Sequence, residues 1–191
     1  MKLHLVKTCK LSASALTLVG VSGGADSLCL WGMLVEAGFQ TAAVHVRHGL
    51  RPEAAAEAQR VVDWGRQWGV QVVVEDADVR GTAASQHLSL EEAARKLRYQ
   101  ALFRQAQRLG AQAVAVGHTA DDQVETVLMH LLRGAGMAGL RGMTARMTAH
   151  EWGSDLPLVR PLLGVWRAET EAWCQARGLE PVQDASNADT T

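Results

Sequence analysis

Short runs of apolar residues alternate along this chain with longer segments whose apolar residues recur at helical spacing. The apolar runs predict strands at residues 16–21, 41–46, 70–75 and 113–116, with a weaker fifth at 156–161. The other segments predict helices at residues 27–37, 53–68, 89–109, 121–132 and 167–177. This alternation is typical of βαβ units, and all-apolar strands suit a sheet covered on both faces. We therefore predict an α/β fold, a three-layer αβα sandwich with a mostly parallel five-stranded sheet.

Length and composition indicate one large domain. The chain has 191 residues, of which 48% are hydrophobic and 20% charged, as is usual for globular proteins. We assign residues 1–15 to an N-terminal extension and residues 16–191 to the domain. No apolar run approaches the roughly 20 residues of a membrane span, and the chain begins without the apolar stretch of an export signal. We expect a cytoplasmic location and no membrane partner.

The cysteines and the net charge exclude several classes of site. Cys9, Cys29 and Cys174 lie far apart and form no Cys-x-x-Cys pair, which argues against a disulfide framework, a zinc ribbon or an iron–sulfur site. The formal net charge of −1 gives no overall basic field. Any nucleic acid must therefore be bound by a local patch or by another domain.

A glycine-rich stretch, GVSGGADSL at residues 20–28, follows the first predicted strand. Gly23 and Gly24 allow positive φ and a close approach of the backbone to a ligand, and the amides that open the next helix attract anions. Ser22 and Ser27 add hydroxyl donors, with Ala25 between the glycines and the carboxylate. Asp26 would repel a phosphate unless a divalent cation lay between them, so it suits Mg²⁺. The alternative is an ordinary helix-entry turn with Ser and Asp as caps.

Two familiar nucleotide motifs are excluded for this stretch. A Walker loop needs a lysine before its Ser or Thr, and none is present. The dinucleotide pattern G-x-G-x-x-G occurs only at residues 134–139, after a helix rather than a strand, and we treat that match as accidental.

A second group of polar residues follows the fourth predicted strand. His118, Asp122 and Glu125 can share one face at the start of the helix at 121–132. Such a group suits ligation of a divalent metal, general base catalysis or binding of an ammonium group. The alternative is that the acidic residues only complement the helix dipole. On the same helix, we expect the apolar residues to face inward: Val124, Val127, Leu128 and Leu131.

Two further segments bring basic residues to this edge. VHVRHGLRP at residues 44–52 contains Val46 and Arg47, and it serves either a nucleotide or only a solvated loop. Arg95 and Arg98 could meet an anion or pair with Glu91 and Glu92. The tryptophans at 64, 68 and 173 fall on apolar stripes, which favours core packing over base stacking.

Together these motifs resemble those of a known family. SGGADS at residues 22–27 is similar to the signature of the N-type ATP pyrophosphatases, the PP-loop superfamily with an adenine nucleotide α-hydrolase-like, Rossmann-like fold. The further blocks occur in the order VHVRHGLRP, EEAARKLRY, GHTADDQVETVLMHLLRGAGMAGLRGM, RPLL and DASNAD. Because these blocks occur in this order, the chain resembles the tRNA(Ile)-lysidine synthetase family over about residues 16–189. The family pattern continues past residue 191, so the resemblance implies a catalytic domain truncated before C-terminal tRNA-binding domains.

The resemblance implies a carbon–nitrogen ligase that uses ATP and Mg²⁺. The wobble cytidine of tRNA(Ile) would be adenylated at the oxygen on carbon 2, and free L-lysine would then displace AMP to give lysidine. The resemblance leaves open whether the enzyme forms a homodimer.

The resemblance also implies roles for individual residues. Asp26, Asp122, Glu125 and His118 would be catalytic, with Asp26 as the metal ligand; Ser22, Gly23, Gly24, Ala25, Asp26, Ser27, Val46 and Arg47 would bind ATP; Arg95, Asp122, Glu125 and Arg133 would bind substrate. Residues 133–146 would lie near the RNA. The alternatives are another PP-loop tRNA-modifying enzyme of the thiolase type, or a nucleotide-binding module without catalysis.

Overall fold

A computed structural model describes residues 7–49, 53–134, 136 and 139–182. Four features of the sequence fall wholly or partly outside the described residues: the start of the N-terminal extension, the end of the 44–52 segment, part of the 133–146 stretch and the DASNAD block.

The described chain alternates strands and helices as the sequence predicts. The strands are β1 (Thr17–Gly20), β2 (Thr41–Arg47), β3 (Gln71–Asp76), β4 (Ala113–Ala115), β5 (Arg146–Thr148) and β6 (Pro157–Val159). The helices are α1 (Ala25–Glu36), α2 (Ala54–Trp68), α3 (Val79–Gln86), α4 (Leu90–Leu109), α5 (Ala120–Leu132) and α6 (Arg167–Gln175). Short 3₁₀ turns lie at Gly139–Arg141 and His150–Trp152.

The sheet has the strand order β3-β2-β1-β4-β6-β5. β1 is central, with Thr17 in register with Thr41 of β2 and with Ala113 of β4, both parallel. Only β5 runs antiparallel, against β6. The carboxyl ends of β1, β2 and β4 therefore meet at one edge, where parallel sheets bind their ligands.

The predicted three-layer α/β fold is confirmed, with six strands instead of five. The additional strand, β5, consists of Arg-Met-Thr at the end of the sheet and lacks the apolar run that marks a buried strand. Helix α3 was also not predicted, because only two of its residues, Val79 and Ala83, are buried and its sequence carries little helical periodicity.

Hydrophobic clusters cover both faces of the sheet. On one face Trp31 and Leu28 of α1 pack with Val61 of α2 and Cys174 of α6, and the tryptophans at 64, 68 and 173 pack against them. On the other face α4 contributes Tyr99, Leu102 and Phe103. The tryptophans therefore serve packing, as predicted. All three cysteines are buried, and none forms a disulfide.

The prediction that the apolar stripe of α5 faces inward is wrong. Val124, Leu128 and Leu131 are 46%, 51% and 55% exposed, and no residue of α5 is fully buried. Val127 is half-buried. Helical spacing shows which residues share a face, but it does not show whether another element covers that face. Among the described residues, no helix combines the length and apolar character that crossing a membrane requires.

Candidate active site

The glycine-rich loop connects β1 to α1 at the carboxyl edge of the sheet. Positive φ is confirmed at Gly23 (+99°), whereas Gly24 is extended with φ −69° and ψ 163°, so the second half of that prediction is wrong. The Ser27 hydroxyl oxygen accepts hydrogen bonds from the amides of Ser22 (3.2 Å) and Gly23 (3.3 Å) and donates to the Gly24 carbonyl (3.0 Å). Ser27 thus holds the loop in a closed turn around the start of α1.

The start of α1 has no side-chain cap. Gly24 occupies the N-cap position, and no side chain accepts from the first-turn amides there. Uncapped amides carry the positive end of the helix dipole, so this end of the helix favours an anion such as a phosphate.

Gly117, directly after β4, lies against this loop. A Cβ at position 117 would stand 2.9 Å from the backbone carbonyl atoms of Asp26 and 3.0 Å from the Ser27 nitrogen. Glycine is therefore required there because the two backbones touch. The contact brings the loop of β1 next to the residues that follow β4.

A cleft of about 450 Å³ opens between these segments, a size usual for small-molecule sites. Its walls come from the loop, the end of β2, helix α4 and the turn into α5. The predicted residues that line it are Ser22, Gly24, Asp26, Ser27, Val46, Arg47, His118 and Asp122. The cleft is also lined by His45, His48, Arg98 and Tyr99.

Both carboxylate oxygens of Asp26 have donors from α6. Oδ1 accepts from the hydroxyl of Thr170, which is fully buried, and Oδ2 lies 3.4 Å from Nε of Arg167. Burial raises the pKa of Asp26, while the Thr170 hydrogen bond and the Arg167 charge act against that rise. The carboxylate is thus held in place in a partly desolvated environment.

Asp122 has two functions in the structure. Its Oδ2 accepts from the Thr119 amide (2.7 Å) and hydroxyl (3.1 Å), which closes a capping box at the start of α5. Its Oδ1 lies 3.3 Å from Nη2 of Arg167. The helix-terminal role considered as the alternative is therefore present, and the same carboxylate also lines the cleft.

Arg167 links these two carboxylates. Its guanidinium contacts both Asp26 and Asp122, and its backbone amide donates to Asp121 at 2.7 Å. Although burial alone would lower the pKa of Arg167, the nearby aspartates raise it. Because one guanidinium reaches both carboxylates, one cation can also be shared by them.

His118 is bonded to a buried arginine. Arg160 is 4% exposed, and its Nε donates to Nδ1 of His118 at 3.2 Å. Burial, together with the Arg160 charge, lowers the pKa of His118 to about 4, against a smaller opposing effect of Asp122. His118 is therefore neutral near pH 7.

His45 and His48 lie on the opposite wall of the cleft. Nδ1 of His45 is 2.9 Å from the Val21 carbonyl oxygen, and burial lowers the pKa of His45. Burial also lowers the pKa of His48, whose buried Nδ1 has no hydrogen-bond partner among the described residues. Both imidazoles favour the neutral form.

The remaining predicted residues lie around the cleft or away from it. Glu125 is exposed one turn along α5 from Asp122, and Arg133 is exposed at the end of that helix. Arg95 lines a separate cavity with Lys96 and Trp152, whereas Arg98, three residues on, lines the cleft. Among the loop residues, Gly23 shapes the turn and Ala25 packs into the core instead of lining the cleft.

The structure adds Gly117, Arg160, Arg167 and Thr170, which the sequence interpretation did not assign to the site, besides His45, His48 and Tyr99 on the wall of the cleft. Arg160 lies in the RPLL block, and Gly117 opens the GHTADD block, so a motif marked both positions. Nothing in the local sequence distinguishes Arg167 and Thr170 from other residues of an amphipathic helix, because their partners lie more than 40 residues away.

The residues present fit a Mg²⁺ ion held together with phosphate oxygens. Mg²⁺ usually takes one or two protein carboxylates and completes its shell with water and substrate phosphates. Asp26 and Asp122 supply two such carboxylates beside the anion-binding end of α1. Within the described ranges, no cluster of three or more His, Cys, Asp or Glu residues could hold a metal on its own.

Known proteins similar to this chain belong to the family that its motifs resemble. The family model for the PP-loop domain matches residues 2–191. A tRNA(Ile)-lysidine synthase of Dehalococcoides mccartyi is 40% identical over 193 aligned residues, covering 98% of this chain and 41% of that protein. A tRNA(Ile)-lysidine synthase of Salinispora tropica is 46% identical over 177 residues, covering 90% of this chain and 51% of that protein. The resemblance predicted from the motifs is confirmed.

Among solved structures, a U34-tRNA thiolase of Methanococcus maripaludis superposes on this chain with a TM-score of 0.76 at 18% identity. The superposition covers 95% of this chain and 64% of the thiolase chain. At that identity the likeness concerns the fold alone. The chain spans about half the length, or less, of the curated relatives described above.

Proposed function

The chain belongs to the PP-loop domain family, and from this membership we propose that it is the catalytic part of a carbon–nitrogen ligase. The enzyme joins free L-lysine to carbon 2 of the wobble cytidine of tRNA(Ile). It consumes ATP and yields lysidine, AMP and pyrophosphate. The similarity to lysidine synthases over nearly the whole chain supports this choice of substrates.

One observation carries the proposal: the uncapped start of α1, Asp26 and Asp122 all face one cleft at the carboxyl edge of the sheet. The uncapped amides in the first turn of α1 bind the pyrophosphate end of ATP, with the hydroxyls of Ser22 and Ser27 beside them in the loop. Asp26 would hold Mg²⁺, which would neutralise phosphate charge when bound, and Asp122 is assigned to the lysine ammonium group. Val46 and Arg47 lie on the wall available to the rest of the nucleotide.

In the first step, the oxygen bonded to carbon 2 of cytosine attacks the α-phosphorus of ATP, and pyrophosphate leaves. In the second step the ε-amine of lysine attacks carbon 2 and expels AMP. Because the lysine amine has an ordinary pKa near 10.4, it arrives protonated. Carboxylates on α5 serve this step: Asp122 and Glu125 attract the ammonium group and accept its proton.

The RNA contacts are assigned to the rim of the cleft. Arg95 and Arg133 bind anionic groups of the substrate, and the glycine- and arginine-rich residues 133–146 lie toward the RNA. Arg133 is exposed, as a phosphate contact requires. We place the enzyme in the cytoplasm, where free thiols such as Cys9, Cys29 and Cys174 persist. The proposal also includes assembly of the enzyme as a homodimer.

The test measures pyrophosphate and lysine separately. The protein is incubated with ATP, Mg²⁺ and a tRNA(Ile) transcript, with and without radiolabelled lysine. We expect tRNA-dependent release of pyrophosphate and AMP, with label entering the RNA. Asp26→Asn abolishes turnover, while Asp63→Asn, on the exposed surface of α2, serves as the matched control.

The outcomes separate the alternatives. Cleavage of ATP without incorporation of lysine contradicts the lysidine proposal and favours a PP-loop enzyme of the thiolase type. Nucleotide binding without any turnover favours a binding module.

A further inference from the structure

The contact between Arg160 and His118 determines which ring nitrogen of His118 carries the proton. Arg160 is buried, and the three described hydrogen bonds of its guanidinium go to neutral acceptors: Nδ1 of His118 (3.2 Å), the Thr144 carbonyl oxygen (2.9 Å) and Sδ of Met147 (3.3 Å). None of the ion pairs in the described part of the chain involves Arg160. Its guanidinium is thus fixed by groups that can only accept.

Guanidinium nitrogens are donors under all conditions in which proteins fold. Nδ1 of His118 must therefore present its lone pair to Arg160, and the single proton of the neutral ring sits on Nε2. We propose that Arg160 is a positioning residue that fixes His118 in the Nε2–H form, so that His118 acts as a neutral hydrogen-bond donor to an anionic oxygen of the bound nucleotide.

The charges around His118 support a neutral ring. Burial disfavours the imidazolium most, Arg160, Arg95 and Arg98 disfavour it further, and Asp122 favours it. These charged groups come from the end of β6, from α4 and from the start of α5. The balance keeps the pKa near 4, so the ring keeps its single proton at neutral pH.

This assignment excludes His118 as the base for the lysine ammonium. With Nδ1 occupied by Arg160 and Nε2 already protonated, the ring offers no lone pair to the cleft. Within the proposed function, on which this step rests, proton removal is left to the carboxylates of Asp122 and Glu125. A donor that carries no net charge can still stabilise charge on a phosphoryl oxygen in a partly water-excluded site.

His45 provides an internal comparison on the facing wall. A carbonyl oxygen only accepts, so the contact of His45 Nδ1 with the Val21 carbonyl places the proton of His45 on Nδ1. The two imidazoles therefore have opposite tautomers: His45 presents an acceptor at Nε2, and His118 presents a donor.

The direct test is NMR of the whole protein labelled with ¹⁵N in its histidine rings at pH 7, with assignment by His45→Gln and His118→Gln. We expect protonated Nε2 and bare Nδ1 for His118, and the reverse for His45. Addition of ATP should shift the Nε2 resonance of His118 more than that of Nδ1. An imidazolium, an Nδ1–H ring or no response at Nε2 overturns the proposal.

Two variants of Arg160 separate positioning from folding. In Arg160→Met we expect His118 to populate both tautomers and to titrate at higher pH, while His45 is unchanged. Arg160→Lys keeps a charged donor and should restore the Nε2–H form. If the Met variant does not fold, as loss of the His45 signal would show, the Lys variant alone decides: an unchanged His118 tautomer supports the proposal and an Nδ1–H ring contradicts it.

Activity distinguishes a donor from a base. The amide nitrogen of Gln can replace an Nε2–H donor but not a base, so pyrophosphate release should fall less in His118→Gln than in His118→Leu, which should lose about 10²-fold. Equal loss in both variants contradicts the donor role. If wild-type protein releases no pyrophosphate, the proposed function fails, while the NMR result on the tautomer and on ATP contact stands independently.

Discussion

The guanidinium of Arg167 lies 3.4 Å from the carboxylate of Asp26, although 141 residues separate them in the sequence. Asp26 lies in the first turn of α1 and Arg167 begins α6, and the same guanidinium also reaches Asp122 of α5. The starts of three helices therefore converge on one cation position. Without a bound metal, Arg167 supplies the positive charge that these two carboxylates require.

Removal of Arg167 should increase the affinity of the free protein for divalent cations. In Arg167→Met the two carboxylates lose their shared counter-charge, so a metal no longer competes with the guanidinium. Since a partly exposed ion pair contributes up to about 1 kcal/mol, we expect Mn²⁺, used as a spectroscopic substitute for Mg²⁺, to bind about fivefold more tightly.

The control is Arg66→Met, which removes an exposed ion pair with Asp63 on α2, away from the residues that line the cleft. Electron paramagnetic resonance of free Mn²⁺ measures both affinities. Equal binding by wild type and Arg167→Met would show that Arg167 does not compete for the cation position.

The hydroxyl of Thr170 should contribute both to stability and to the ionisation of Asp26. Thr170 is fully buried and bonds to Oδ1 of Asp26. Thr170→Val keeps the shape but leaves that oxygen without its donor, at a cost of about 1–3 kcal/mol in the free energy of unfolding. Because this hydrogen bond lowers the pKa of Asp26, its loss should raise that pKa further.

Urea denaturation measures the stability change, and ¹³C NMR of the Asp26 carboxyl group measures its titration. Thr170→Ser keeps the hydroxyl and is the matched control. An unchanged Asp26 titration in the Val variant would mean that the hydroxyl is not bonded to the carboxylate in solution.

Gly117 should be required for the position of the glycine-rich loop. In Gly117→Ala the new methyl group meets the backbone of Asp26 and Ser27, which cannot move aside as a flexible side chain could. We expect a loss of about 1–3 kcal/mol in unfolding free energy and weaker ATP binding, since the loop amides are displaced.

Calorimetry with ATP and urea denaturation measure the two effects. Gly164→Ala is the control, because Gly164 has no neighbour within 4 Å of its Cβ position and does not have positive φ. If ATP binding is unchanged in Gly117→Ala, the contact between the two segments does not determine the geometry of the site.

The sequence predicted the central sheet and the loop because local signals determine both. An apolar run marks each central strand, whereas β5 (Arg146–Thr148), at the edge of the sheet, carries no such signal. Asp26 could be proposed because a carboxylate beside a glycine loop suggests a cation between it and a phosphate. Asp122, in a first helical turn, could be proposed only because its helix starts at the same edge of the sheet. Arg167 and Thr170 could not be recognised, because their role depends on the packing of α6 against α1, which no local pattern encodes.

The stability of the protein should fall as the pH is lowered toward 4, and His118 should account for part of that fall. The pKa of His118 is about 4 in the folded protein against 6.5 in the unfolded chain. Between these values the unfolded chain binds more protons, so the free energy of unfolding decreases as the pH falls through this window. The lowered pKa values of His45 and His48 act in the same direction.

Asp26 acts in the opposite direction. Its pKa is raised in the folded protein, so the folded state takes up that proton first, and acidification stabilises it. Urea denaturation at pH 7 and pH 4.5 should show a smaller loss of stability in His118→Gln than in wild type. The variant lacks one of the histidines whose protonation destabilises the folded protein, and it retains Asp26, whose protonation stabilises it.

The control is His87→Asn, at an exposed position with φ +54° where Asn is tolerated. This variant should show the same difference between the two pH values as wild type. If His118→Gln also shows the wild-type difference, the ring of His118 is not held neutral by its surroundings, and the bond from Arg160 does not govern its protonation.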